Sequence, residues 1–287
     1  MKQYIKLMRV HHYIKNLLVF AALACSGQFF QAKRLRWTIF GFLAFCMISS
    51  VVYIINDIRD RDKDRRHPTK CQRPIASGAV PVSGAWIFAG ILFIMAFVMN
   101  ALTFRVKSTL LLAAYFAINV GYSFGLKNLP IVDIAILVAG FLIRVLYGAL
   151  VARISVSNWL YLTVIAISFY FALGKRRNEL KQLGGEETRK VLKAYPVQFL
   201  DKTMNMCLTL AIAFYALWSA DEKTKELYQS KYMILTVPIV LLITMKYSLD
   251  VEGDSDGDPV EVLLHDKALL ALCVIYFAVM FFILYMK

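Results

Sequence analysis

The sequence predicts an all-α integral membrane protein of about nine transmembrane helices, and three observations carry that expectation. Of the 287 residues, 59% are hydrophobic and only 18% are charged, and the mean hydropathy is +0.59. A soluble domain of this length carries more charge. The apolar residues come in long blocks instead of alternating faces, as lipid-exposed helices do. The Lys and Arg residues fall unevenly on the two sides that such blocks define, 22 on one and ten on the other.

The blocks run over about 14–31, 35–55, 82–103, 108–125, 130–152, 156–174, 203–220, 231–249 and 268–286. Each is near the roughly 20 residues that cross a bilayer. The first follows a short basic start (Lys2, Lys6, Arg9) with no small-residue cleavage site, so it reads as a retained helix. The second ends abruptly in Asn56-Asp57, and Tyr122, Ser123 and Gly125 thin the end of the fourth. The fifth carries Arg144 well inside it, where a charge is costly and is normally paired or faces a cavity. The sixth stops at Gly174, before the basic run Lys175-Arg176-Arg177. The positive-inside rule then places the N-terminus and three long charged loops, 56–81, 174–202 and 250–267, in the cytoplasm. This is the pattern of a multi-pass protein of the cell inner (plasma) membrane. No repeat interrupts the chain, so residues 1–287 read as a single transmembrane domain, with oligomeric state, including a homo-oligomer, left open.

The net charge of +14 does not indicate nucleic acid, because no recognition motif accompanies it. Basic residues at a membrane face meet anionic lipid head groups, and they also suit anionic substrates. The five cysteines (Cys25, Cys46, Cys71, Cys207, Cys273) are odd in number, lie mostly in apolar blocks and form no C-x-x-C pair, so neither a disulfide framework nor a zinc site follows. Asp254, Asp256 and Asp258 have calcium-loop spacing, but the Gly at loop position six and the closing Glu are missing. A transporter would show inverted repeats and several ionisable groups at mid-membrane, and only Arg144 qualifies.

Chemistry concentrates where the second block ends, in Asn56-Asp57-Ile58-Arg59-Asp60-Arg61-Asp62-Lys63-Asp64. If helical geometry continues, Asp57, Asp60 and Asp64 lie at i, i+3 and i+7 on one face. Three carboxylates there repel one another unless a cation compensates. Oxygen ligands suit a hard cation such as Mg²⁺, which bridges carboxylates to substrate phosphates. A solvated loop of alternating charge is the competing reading. Two details disfavour it: Asn56 and Asp57 directly follow an apolar run, and Lys70 and Arg73 come close behind, as in sites that mix metal with bases to bind phosphate.

The run Asn-Asp-x-x-Asp-x-x-x-Asp, followed by Arg65-x-His67-Pro68-x-Lys70-x-x-Arg73-Pro74-Ile75-Ala76-x-Gly78, resembles the first aspartate-rich motif of the UbiA-type prenyltransferase superfamily. The stretch Arg9-Val10-His11-His12-Tyr13-Ile14-Lys15-Asn16-Leu17-Leu18-Val19-Phe20 is similar to the opening of its decaprenyl-phosphate phosphoribosyltransferase branch, with Val10 in place of a proline and His12-Tyr13 in place of Gln-Trp. Segments 121–133, Gly140 to Arg144, Gly174 to Leu180 and Gly257 to Glu261 are similar as well. The resemblance implies a nine-helix fold around a central cavity open to the cytoplasmic face. It also implies a Mg²⁺-dependent enzyme that moves 5-phosphoribose from 5-phosphoribosyl diphosphate to a polyprenyl phosphate. On that reading Asp57, Asp60 and Asp64 hold the metal, beside Asn56. Lys15, Asn16, Lys70, Arg73, Lys127, Arg144, Lys175, Arg176 and Glu179 are candidate substrate contacts, and Tyr122 lines the path of the lipid tail.

The sequence departs from the wider superfamily after the sixth block. A second aspartate motif is usual there, and this chain has Lys175-Arg176-Arg177-Asn178-Glu179. A basic slot favours extra phosphates that bring no metal of their own, as on a phosphoribosyl group or a lipid phosphate. The alternative, an aromatic prenyltransferase with a polyprenyl diphosphate donor, calls for the missing acidic cluster.

Overall fold

A computed structural model describes residues 2–182, 190–253 and 257–285, and among them every regular element is helical. The helices group into two compact units, although composition offers no break at which to divide the chain. The first comprises Met1–Lys127 with Ala139–Ser155, and the second Asn128–Val138 with Val156–Lys287.

In the first unit, α1 (Lys2–Met8) leads into a 3₁₀ segment, Val10–Phe20, then α2 (Ala21–Ala24) and the long α3 (Ala32–Arg59). After α3 come α4 (Arg61–Arg65), α5 (Val82–Ala101), α6 (Val106–Ser123) and, from Ala139 onward, most of α7 (Val132–Ala152). Residues Ala85, Ala89, Leu92 and Ala96 recur at helical spacing and are buried, so one small-residue face of α5 lies close against α3. The opposite face, with Ile87, Ile91, Ile94 and Val98, is exposed, as a lipid-facing surface is. Phe45, Leu112, Tyr115, Ile143 and Tyr147 fill the centre of the unit.

The first apolar block is not the continuous α-helix expected over 14–31. Its 11-residue 3₁₀ segment rises about 2.0 Å per residue, so it covers about 22 Å with fewer residues than an α-helix needs. The segment runs against α7 so closely that a Cβ built on Gly148 would lie 1.9 Å from the Val19 carbonyl oxygen. Only glycine permits that approach.

The second unit holds the start of α7, α8 (Asn158–Gln182), α9 (Val197–Ala220), α10 (Glu222–Tyr228), α11 (Val237–Glu252), α12 (Pro259–His265) and α13 (Lys267–Tyr285). The α8 and α9 helices pack along their length, and Tyr170, Leu173, Leu200, Met204, Tyr247 and Val251 form the core. An apolar cavity of about 270 Å³ opens among α8, α9, α11, α12 and α13, with Ile167, Phe171, Ile243 and Leu263 in its wall. Three successive residues, Gly257, Asp258 and Pro259, build the turn into α12. Gly257 (φ +75°) lies on α8, where a Cβ would come 2.9 Å from the Gly174 carbonyl oxygen. Asp258 caps the helix by accepting from the Val260 N–H at 3.1 Å, and Pro259 takes the first helical position.

Six of the nine apolar blocks correspond, among the described residues, to helices that are long and apolar enough by length and composition to cross a membrane. The other three blocks are less uniformly apolar or less regularly α-helical. The first is 3₁₀; α6 carries Lys107 and Asn119; and α8 starts at Asn158 and runs on into Lys175-Arg176-Arg177-Asn178. The chain is a multi-pass membrane protein.

Candidate functional site

In the first unit, the acidic cluster is set by the end of α3. The helix breaks at Asp60 (φ −86°, ψ 6°) and resumes as α4, with the Asp64 N–H donating to the Asp60 carbonyl at 2.8 Å. The break divides the three aspartates. Asp57 and Asp64 are buried and share one partner: Arg73 Nη1 donates to Asp57 Oδ1 at 3.2 Å and to Asp64 Oδ2 at 2.7 Å. Asp60 turns away and accepts from Lys127 Nζ at 3.2 Å on both oxygens. The expected single face of three carboxylates is thus a pair plus a third with its own base.

Arg9 completes the cluster. Its Nη2 donates to Asp57 Oδ1 at 2.5 Å, and its guanidinium lies 5.0 Å from the centre of the Tyr53 ring. Its backbone is left-handed (φ 52°), a conformation unusual for a non-glycine residue. Asn56 accepts a hydrogen bond from the Ser123 hydroxyl at 3.2 Å, which ties α3 to α6. Lys70 opens a short 3₁₀ turn between α4 and Arg73, and half-buried Tyr122 lies in the last turn of α6.

Among the described residues, no three acidic, histidine or cysteine side chains converge as a ready-made metal shell. Magnesium does not require one, since it commonly takes one or two carboxylates, substrate phosphates and water. The donor set fits that demand. Asp57 and Asp64 offer only oxygen, and one nitrogen atom of Arg73 bonds both, so the two carboxylates converge and would be the groups to hold a cation.

Arg144 and Asn16 have a different setting within the same unit. Arg144 donates from Nε to Asn16 Oδ1 at 2.9 Å, from Nη1 to the Gly140 carbonyl at 2.7 Å and from Nη2 to Tyr115 Oη at 2.9 Å. Asn16 in turn donates to Ser49 Oγ at 3.1 Å and Cys46 Sγ at 3.3 Å. Protein groups occupy all three guanidinium nitrogens, which is how a buried charge is held. Lys15, next to Asn16, is half-buried. Close to Lys15, His11 has its ring pKa lowered by burial and by Arg9 and Lys15.

In the second unit, the basic slot is not a free positive surface. Arg176 is fully buried and donates from Nε to Asp133 Oδ2 at 2.6 Å and from Nη1 to Glu179 Oε2 at 2.8 Å. Tyr195 donates to the other Asp133 oxygen at 2.6 Å and accepts from the Ile131 N–H at 2.5 Å. Burial, followed by the bond to Asp133, pushes the Tyr195 phenol up to about 12, so it remains a donor at neutral pH. Arg177 pairs with Asp201, and Lys175, the most exposed of the three, meets Asp258 Oδ2 at 3.4 Å. Asp258 is therefore a helix cap and ion-pair partner, while Asp254 and Asp256 lie outside the described residues.

Sequence reasoning missed Arg9 as a partner of the acids, and missed Asp133, Tyr195 and Asp201 as the groups that hold the basic slot. Asp133 did leave a signal: a carboxylate at the head of an apolar block needs a partner.

The UbiA prenyltransferase family matches residues 17–263. The decaprenyl-phosphate phosphoribosyltransferase of Mycolicibacterium smegmatis is 34% identical over 92% of this chain and 87% of its own length. The enzyme of the same name from Corynebacterium glutamicum is 35% identical over 96% and 85%. A UbiA homolog from Archaeoglobus fulgidus, solved bound to GPP and Mg²⁺, has a TM-score of 0.75 at 17% identity and covers 98% of this chain and 99% of that chain. This chain belongs to the UbiA prenyltransferase family.

Proposed function

We propose that the protein transfers 5-phosphoribose from 5-phosphoribosyl diphosphate to a polyprenyl phosphate of the decaprenyl type, releasing diphosphate at the cytoplasmic face of a cell membrane. The observation that carries this reading is the end-to-end match to relatives named for that reaction, at 34% and 35% identity. The pairing of Asp57 and Asp64 supports a metal-bound diphosphate at the end of α3. The excess of Lys and Arg on one side supports a cytoplasmic N-terminus and site.

Asp57 and Asp64 would hold Mg²⁺, with Asp60 and Asn56 close by. The ion, when bound, would neutralise charge on the departing diphosphate. The bond from the anomeric carbon to the diphosphate oxygen breaks, and its electron pair leaves with the diphosphate. An oxygen of the lipid phosphate forms the new bond from the opposite face, which inverts that carbon. The nucleophile is already anionic, so no strong general base is required. Arg73 and Lys127 would meet the diphosphate, and Lys15, Lys70 and Lys175 the sugar and lipid phosphates. Tyr122 would line the lipid's path. Arg144 with Asn16, and Arg176 with Glu179, are placed to position helices by their internal bonds.

The test incubates purified protein and Mg²⁺ with labelled phosphoribosyl diphosphate and polyprenyl phosphate. A parallel reaction offers labelled prenyl diphosphate and an aromatic acid. Labelled lipid is expected in the first alone; product only in the second would assign the aromatic prenyltransferase reaction.

A further inference from the structure

The acidic cluster of the first unit is layered by charge. The carboxylates of Asp57 and Asp64 are the interior layer, with side chains only 3% and 6% exposed. The bases that hold them are the outer layer: Arg9 is 18% exposed and Arg73 26%. Asp60 and Lys127 repeat the pairing at the edge, at 24% and 21%. A cation arriving from water at Asp57 or Asp64 therefore meets the more exposed Arg9 and Arg73 before it reaches those carboxylates. An anion arriving from water meets these partly exposed bases first.

We infer that Arg9, with Arg73 and Lys127, is a resident counter-ion gate that excludes free divalent metal and admits it only together with a diphosphate. This rests on the metal–diphosphate part of the proposed function. It adds that the binding order is built into the ion pairs. Two buried carboxylates without a counter-charge are unfavourable, so the bases compensate them when no ligand is bound. Free metal must displace those bases and leave them unpaired, which offsets its own gain. A metal diphosphate supplies both replacements at once: the metal takes the carboxylates, and the phosphate oxygens take the bases as charge-assisted hydrogen bonds. Metal and diphosphate then favour each other's binding reciprocally. The left-handed backbone of Arg9 (φ 52°) fits this role, because a strained conformation persists where the surroundings demand a particular aim. Its aim is Asp57, 48 residues away in the chain.

A counter-ion gate and a merely structural ion pair predict effects of opposite sign on the binding of bare metal. Isothermal titration of the full-length protein in detergent would measure Mn²⁺ alone and preformed Mn²⁺–diphosphate. In wild type, Mn²⁺ alone should bind weakly and the complex tightly. Arg9→Gln should bind Mn²⁺ alone about tenfold more tightly, because one counter-ion at Asp57 is gone. The same variant should lose at least about tenfold in the preference for the complex over the bare ion. Arg9→Lys, which keeps the charge, should retain most of that preference, and Lys127→Gln should shift in the same direction as Arg9→Gln. Unchanged or weaker Mn²⁺ binding in both Gln variants would overturn the gate, as would equal loss of both ligands. The measurement needs no phosphoribosyl donor, so it stands or falls apart from the identity of the transferred group.

Discussion

The first and second units both bury charge, but in opposite order. At the end of α3 the acids are inside and the bases outside: Asp57 and Asp64 are buried beneath partly exposed Arg9 and Arg73. In the second unit a base is inside: Arg176, 1% exposed, is enclosed by Asp133, Glu179 and, through Asp133, Tyr195. Partly exposed bases can be rehydrated or handed to a phosphate, so the first cluster can change partners. A guanidinium held on its buried sides by fixed carboxylates cannot. The contrast separates a cluster fit for binding from one fit for holding helices, although both have the same residue types.

The comparison can be broken by substitution, beginning with the largest expected effect. Arg176→Ala leaves Asp133 buried and uncompensated, which should destabilise by about 3–5 kcal/mol. Replacing the pair together, as Arg176→Met with Asp133→Leu, should recover most of that. Thermal unfolding in detergent checks both, and a mild Arg176→Ala would show that the pair is not structural. Gly257→Ala forces a side chain into φ +75° against the Gly174 carbonyl. It should cost about 1–3 kcal/mol and disturb the neighbouring Lys175–Asp258 pair, seen as a rise in substrate KM. The smallest effect is on pH. The Tyr195 phenol is raised in the folded protein, so its contribution is fully present below the ordinary tyrosine pKa of about 10 and is lost as pH rises through about 12. Tyr195→Phe should flatten the alkaline limb of the stability profile above about pH 10. An unchanged limb would mean that another group governs it.

Much of this was legible in the chain. Apolar blocks located the helices, and the spacing of Asp57 and Asp64 located two carboxylates that do share a partner. The spacing could not show that the helix breaks at Asp60 and sends its carboxylate to Lys127. Nor could it show the 3₁₀ geometry of Val10–Phe20, since an apolar run carries no contrast to distinguish three residues per turn from 3.6. The partners of the basic slot were hidden for a related reason. Lys175, Arg176 and Arg177 are three bases in a row, but Asp258, Asp133 and Asp201 arrive from other elements and neutralise them. Local sequence shows the charge that a segment contributes. It does not show the charge that folds against it.

The central claim is that the Asp57 cluster works and the Asp133 cluster supports. Asp57→Asn and Asp133→Asn, measured side by side for phosphoribosyl transfer and thermal unfolding, test it most directly. Asp57→Asn should lower turnover by at least about 10²–10³-fold with little change in unfolding temperature, because Arg9 and Arg73 can be solvated. Asp133→Asn should lower the unfolding temperature markedly while the protein that remains folded keeps turning over. Near-normal transfer by Asp57→Asn would contradict the account.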